Sequence, residues 1–236
     1  MLGLLALLAI LLPGPLYRFG ALGLGSAFSL MGKGAVAGIV AAIVAAIALL
    51  MALLAHRGRY ILYAALGISF GLLAFISPWM FKHKAASVPP IHDISTDTTQ
   101  PPAFRAVLDE RVNSPNSPAY GGAKVAAQQH EAYPDIRPLI FKATPGQVFD
   151  AALKVAHRMD WKIDASDTAG GRIEATSTTF WFGFKDDVVI RIRADTGGGT
   201  RLDIRSQSRI GTSDIGKNAE RIRNFCRLLE RQLGNA

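Results

Sequence analysis

The chain of 236 residues has one cysteine, Cys226, so no intramolecular disulfide is available to it. It has no aspartate or glutamate before Asp93, and the fixed charges up to that point, Arg18, Lys33, Arg57, Arg59, Lys82 and Lys84, are all positive. Its histidines in the polar half, His92, His130 and His157, are isolated, and no HxxxH or paired Cys/His spacing supports a metal site. A Gly-x-Ser-x-Gly elbow, a phosphate-cradling P-loop and a dinucleotide fingerprint are also missing. These absences argue against zinc, P-loop and Rossmann chemistry, and the expectation is a protein with no cofactor and no catalytic signature.

The charge asymmetry removes another class. Of the 26 Lys and Arg residues, 20 lie beyond Lys84 together with all 18 acids, so only +2 of the total +8 belongs to the polar region. The basic residues there are not interleaved with aromatics as in a nucleic-acid module, and DNA or RNA binding is not expected.

The chain before Lys84 is apolar. Ala35 to Ala55 and Tyr60 to Met80 are each 21 residues without a charge, long enough at 1.5 Å per residue to cross a hydrocarbon core of about 30 Å. The first apolar stretch, Met1 to about Phe19, is interrupted by Pro13-Gly14-Pro15. It is read as a retained span, because the positive n-region and small-residue cleavage site of a signal sequence are not evident. Three spans, near 1–19, 35–55 and 60–80, are therefore expected. Gly34, Gly38, Ala42 and Ala46 recur every fourth residue, a spacing that lets helix backbones approach and is expected to pack the helical hairpin. No Asp, Glu, Arg, Lys or His lies inside the two clear spans, which argues against a transporter. Arg57 and Arg59 in the short turn between them make that turn cytoplasmic by the positive-inside rule and send the C-terminal region outward. Lys82, Lys84, Arg18 and Lys33 argue the other way. The expected setting is a bacterial inner membrane, multi-pass, with a periplasmic C-terminal domain.

From Ala85 to about residue 137 the composition turns to Pro, Ser, Thr, Asp and Asn, as in Asn113-Ser114-Pro115-Asn116-Ser117-Pro118, with one short helix at Ala123 to Ala132. This is expected to be a linker; Phe104, Tyr120 and Tyr133 suggest that parts of it dock on the domain. Residues 138–236 read as an α+β domain, an antiparallel sheet with two helices on one face. Its predicted order is strand 139–142, helix to Met159 opened by the capping box Thr144-Pro145-Gly146-Gln147, four strands, and a last helix beginning near Ser213 or Asp214.

Several motifs can be matched to a family. Val88-Pro89-Pro90-Ile91-His92-Asp93-Ile94, Tyr133-Pro134-Asp135-Ile136, Thr179-Phe180-Trp181-Phe182-Gly183-Phe184-Lys185-Asp186-Asp187 and Arg205-Ser206-Gln207-Ser208-Arg209-Ile210-Gly211-Thr212-Ser213-Asp214 resemble the bacterial domain of unknown function 1499 family. The resemblance covers Val88 to the C-terminus. It implies a membrane-associated domain, and relatives in the thylakoid lumen favour the outward placement; it implies no activity, substrate or catalytic residue.

Two places can carry a ligand or partner. On alternating strands Arg191, Arg193, Arg205 and Arg209 share one sheet face, near Trp181, Phe184 and Asp187. That face either binds an anionic headgroup or carboxylate through guanidinium contacts, or is a solvated face with cross-strand pairs to Asp203 and Glu174. Asp186 and Asp187, being adjacent, point to opposite faces and do not make an acid–base pair. The corner from Arg205, Ser206, Ser208 and Arg209 to Ser213 and Asp214, with Asn218 and Arg221 beyond it, either converges on an anion at the helix N-terminus or caps that helix itself. The expected function is non-catalytic binding of an envelope protein or lipid partner beside the bilayer. The alternative is an enzyme acting on an anionic envelope metabolite at the same corner.

Overall fold

The computed structural model describes residues 1–234 and divides into two compact units. One is Met1–Ser87 together with Phe180–Gly183; the other is Val88–Thr179 with the residues from Phe184 onward.

The first unit is helical: α1 (Leu2–Leu11), α2 (Pro13–Arg18), α3 (Leu24–Leu54) and α4 (Gly58–Ala86). Two of these, α3 and α4, are long and apolar enough to cross a membrane, whereas the helical stretch Leu2–Arg18 is shorter. Helical geometry runs on through Leu12, so the Pro-Gly-Pro stretch does not break the chain into separate directions. Lys33 lies inside α3, and Lys82 and Lys84 inside α4, so both helices extend past the uncharged stretches.

The helices approach through glycine. A Cβ added to Gly71 would lie 2.5 Å from the Gly38 carbonyl oxygen and 2.9 Å from the Ala42 nitrogen, so only a hydrogen leaves room at this crossing. The four-residue series divides its work. Gly38 and Ala42 meet α4, but Gly34 meets Ala9 and Ile10 of α1, and Ala46 is exposed. A row of residues four apart winds slowly around its helix, so a long row cannot stay on one partner.

The second unit is built around a six-stranded antiparallel sheet: β1 (Asp93–Ser95), β2 (Leu139–Phe141), β3 (Lys162–Asp167), β4 (Arg172–Thr178), β5 (Lys185–Ala194) and β6 (Thr200–Ser208). The strand order is β1-β6-β5-β4-β3, and β2 also pairs with β6, further along the edge that β1 occupies. Helices α5 (Gly122–Ala132), α6 (Pro145–Arg158) and α7 (Lys217–Gly234) complete it. Thr144 and Gln147 form the capping box of α6.

Strand alternation sorts the sheet into two faces. Ile173, Ala175, Val188, Ile190, Ile192, Leu202 and Ile204 enter one core with Val148, Phe149 and Val155 of α6 and Ile222, Phe225 and Leu229 of α7. Trp161 stacks on Phe225 within it. Full burial of each such aliphatic side chain is worth about 1.5–3 kcal/mol, which makes this face the main source of stability.

Residues 88–137 differ from a tether. They supply β1 to the sheet, α5 beside it, and a stretch from Thr96 to Tyr120 that covers the face opposite the helices, where Phe104 and Val107 close over Val189. The break in compactness falls at Val88, not at residue 138.

Candidate functional site

The expected arginine face exists, but it is not open. Arg205 is 2 % exposed. Its Nε and Nη2 donate to the two oxygens of Asp93, both at 2.8 Å, and further N–H groups donate to the carbonyls of Pro102 and Pro118. Its guanidinium lies 4.7 Å from the Phe104 ring centre and 5.5 Å from that of Tyr120. Each of these partners comes from the covering stretch or from β1, so the side chain binds the chain's own segment where a ligand was expected.

The neighbouring charges are used in the same way. Asp187, fully buried, pairs with Arg111 at 2.5 Å and Arg209 at 2.7 Å. Arg209 also reaches Glu110, whose carboxyl is held down at about 2 by hydrogen bonds from Lys162 and Arg209. The buried Glu174 accepts the backbone N–H groups of Arg105, Ala106 and Val107 and pairs with Arg172. Arg191 and Arg201 share Asp97 and Asp203, with Arg193 at the outer margin. The solvated alternative holds in part: Arg191 pairs across strands with Asp203 and is partly exposed, but Asp97 of the covering stretch joins the pair, and Arg205 and Glu174 take other partners. Burying an ion pair costs desolvation, offset here because nearly every donor and acceptor finds a partner.

The corner residues do not converge. Period-two alternation along β6 puts Arg205 and Arg209 under the covering stretch and Ser206 and Ser208 on the helix side. On that side the Ser206 hydroxyl donates to Asn218 Oδ1 at 2.7 Å, Asn218 Nδ2 donates to Ser208 Oγ and to the His92 carbonyl, and Arg221 joins Asn218 and Asp186. Asp186 and Asp187 thus do sit on opposite faces. Helix α7 starts at Lys217, later than expected, because Ile215 and Gly216 adopt left-handed backbone conformations before it. The Asp214 carboxylate accepts the N–H groups of Gly216 and Asn218, and Ser213 Oγ that of Ile215. The anion seat at this helix start is filled by the chain's own side chain, whose pKa burial pushes up.

Trp181 belongs to the helical unit, where its indole N–H donates to the Leu11 carbonyl. Phe184 lies in the sheet unit, its N–H bonded to the Thr179 hydroxyl and its carbonyl to the Thr179 N–H.

An open concavity lies elsewhere in the sheet unit. A cleft of about 630 Å³ runs between α7 and the segment Asp135–Phe141. Ile136, Leu139 and Ile222 form its apolar part, and Arg137, Arg223, Arg227 and Glu230 its charged rim. Arg223 pairs with Asp135, and Arg227 donates to the side chain of Asn224. Cys226 lines it, its thiol pushed up to about 12 by burial. The sheet edge is treated differently on the two sides of this cleft. Gln129, fully buried on α5, donates to the Ser95 carbonyl and accepts the Ser95 N–H, and so closes the outer edge of β1. Among the described residues, strand β2 pairs only with β6, and Ile140 on it is 55 % exposed. Sequence reasoning missed this place: Arg223 and Arg227 belong to no motif, and the cleft depends on how the segment 135–141 packs beside α7.

Among the described residues, no group of three or more His, Cys, Asp or Glu side chains is arranged to hold a metal ion. No curated protein matches the chain. The family described as "Protein of unknown function (DUF1499)" matches residues 93–229. That span begins at β1 and ends in α7, taking in the buried arginine layer and the cleft, and the chain belongs to this family.

Proposed function

We propose that this chain is a multi-pass inner-membrane protein whose family domain binds an extended segment of an envelope protein, without catalysis, along the free edge of β2. The observation that carries the reading is the contrast at the sheet edge: Gln129 closes β1, while the edge of β2 away from β6 has no strand partner among the described residues and lies beside a cleft. An exposed strand edge is a template for strand addition, and natural proteins otherwise blunt such edges. Arg137 and Arg227 on the rim favour a segment carrying carboxylates. The test is a photo-crosslinking benzoylphenylalanine at Ile140 in cells, with exposed Val112 as background. A discrete adduct with one envelope protein, weakened by Arg227→Glu, supports the reading; labelling no stronger than at Val112 refutes it.

The membrane part of the reading takes α1–α2, α3 and α4 as three spans. Exposed aromatics flank the apolar stretch of α4, Tyr60 and Tyr63 at one end and Trp79 and Phe81 at the other. From Tyr63 to Trp79 is 16 residues, about 24 Å of helix, and aromatic belts of this kind mark the two interfaces of a bilayer. Arg57 and Arg59 in the turn between the helices favour a cytoplasmic turn and a periplasmic domain. A second orientation is favoured by Lys33 lying in α3, because Arg18, Lys33, Lys82 and Lys84 then all belong to the other end of the helices. Reporter fusions after Lys84 and within 56–59 decide between them: a cytoplasmic signal after Lys84 refutes the periplasmic placement.

A further inference from the structure

Proline at position 15 has no N–H, so the carbonyl four residues earlier, that of Leu11, has no helical donor. The Trp181 indole N–H donates to that carbonyl at 3.0 Å. The residue between the two prolines is what admits it: a Cβ on Gly14 would lie 2.6 Å from Trp181 Nε1. Pro13-Gly14-Pro15 thus forms a notch shaped for one indole.

The rest of the tip is built to match. The Phe182 ring is buried against Tyr17 and Phe28, with ring centres 5.9 and 5.5 Å away. Arg18 donates to the Phe180 carbonyl, and its guanidinium lies 6.0 Å from the Phe180 ring. Phe180 is nevertheless 90 % exposed, and Phe19, which follows Arg18 in the chain, is exposed as well. Ala74 packs with Ala6, Ile10 and Trp181 in one apolar cluster, so the tip belongs to the end of the helices toward which α4 runs on to Trp79, Lys82 and Lys84. Aromatic rings beside cations are the signature of a membrane–water interface, and a backbone carbonyl on its hydrocarbon side needs a donor from the protein.

We infer that Phe180 and Trp181 form part of the interfacial aromatic belt of the bilayer, with the Phe180 ring immersed among lipid chains below the headgroups. The inference rests on the membrane reading given above. It commits to lipid as the occupant because the tip continues a surface of exposed aromatics and cations, and nothing acidic occurs in Met1–Ser87 to recruit a basic protein.

The test uses the full chain reconstituted in liposomes carrying phosphatidylcholine brominated near the top of its acyl chains. Two single-tryptophan versions are compared, one keeping Trp181 (W79F/W161F) and one keeping Trp79 (W161F/W181F). Loss of Trp181 emission to the same extent as Trp79, with a blue-shifted maximum, is expected. Quenching of Trp79 without quenching of Trp181 overturns this inference and leaves the membrane reading standing. Quenching of neither overturns both. Phe180→Ser in the Trp181-only chain should weaken the quenching; an unchanged value would mean that the Phe180 ring is not immersed, and would refute the inference for that residue.

Discussion

Replacing Arg205 by methionine keeps most of the side-chain volume and removes the charge. In the folded chain this strands the carboxylate of Asp93, which keeps only the Gln207 amide as a donor, and leaves the Pro102 and Pro118 carbonyls without their guanidinium donors. Breaking one partner of a buried ion pair costs about 3–5 kcal/mol, and each carbonyl left without a donor costs up to about 1–3 kcal/mol more unless water reaches it. A loss of about 4–6 kcal/mol is a large share of the roughly 5–15 kcal/mol by which a domain is stable. For a domain of this size it corresponds to a thermal midpoint lower by roughly 8–24 °C. The measurement is urea unfolding of the detergent-solubilised full chain, followed through the fluorescence of Trp161 in a Trp79→Phe/Trp181→Phe background. Trp161 is buried on Phe225 and reports the core of the sheet unit. The double variant Arg205→Met/Asp93→Leu should recover about 2–3 kcal/mol relative to the sum of its singles, since a pair removed whole leaves no stranded charge. The reasoning is refuted if Arg205→Met costs less than about 1 kcal/mol, or if the two singles simply add.

Three further outcomes are expected. Gly71→Val forces α3 and α4 apart at a crossing with no space for a Cβ, and should lower the detergent melting temperature far more than Gly58→Val, where a Cβ meets nothing; equal effects would argue against close packing. Cys226, with its thiol at about 12 through burial, is protonated at pH 8, so maleimide labelling of the native chain should be much slower than of the urea-unfolded chain, and equal rates would contradict that placement. Glu110 has a folded pKa of about 2 against an ordinary 4.5, so the stability it contributes is present above pH 4.5 and is lost as pH falls towards 2. Its side chain is 39 % exposed, so the effect is at most about 1 kcal/mol. Glu110→Gln should flatten the acid limb of the stability curve, and an unchanged limb would count against the pairing with Lys162 and Arg209.

The legible parts of this fold are those decided by neighbours in sequence. Thr144 and Gln147 lie three residues apart, and their capping box forms as expected. Alternation in β5 and β6 predicts which arginines share a face, and separates Asp186 from Asp187. It does not say what lies over that face. The partners of Arg205 are Asp93, Pro102 and Pro118, 87 to 112 residues away, in a stretch whose composition resembles a tether. A charged, alternating strand reads identically whether water or a folded segment covers it. The aromatic residues Phe104 and Tyr120 were the available signal, since a free linker has no use for rings. The small-residue row of α3 shows the same limit: its spacing predicts close approach, but not that Gly34 and Gly38 would choose different helices.

The covering stretch has a consequence for how this domain can be cut. A fragment beginning at Pro138 keeps α6, α7 and five of the six strands, β2 to β6, and would look complete by hydrophobic pattern. It would carry Asp187 without Arg111, Glu174 without the N–H groups of residues 105–107, and Arg205 without Asp93. Such a fragment is expected to aggregate, because Val189 would lose the cover of Phe104 and Val107 and the 205–207 part of β6 would lose its partner β1. The smallest excisable piece begins ahead of β1, and a protease nick between Thr96 and Tyr120 should leave the two pieces associated until the ion pairs are titrated apart.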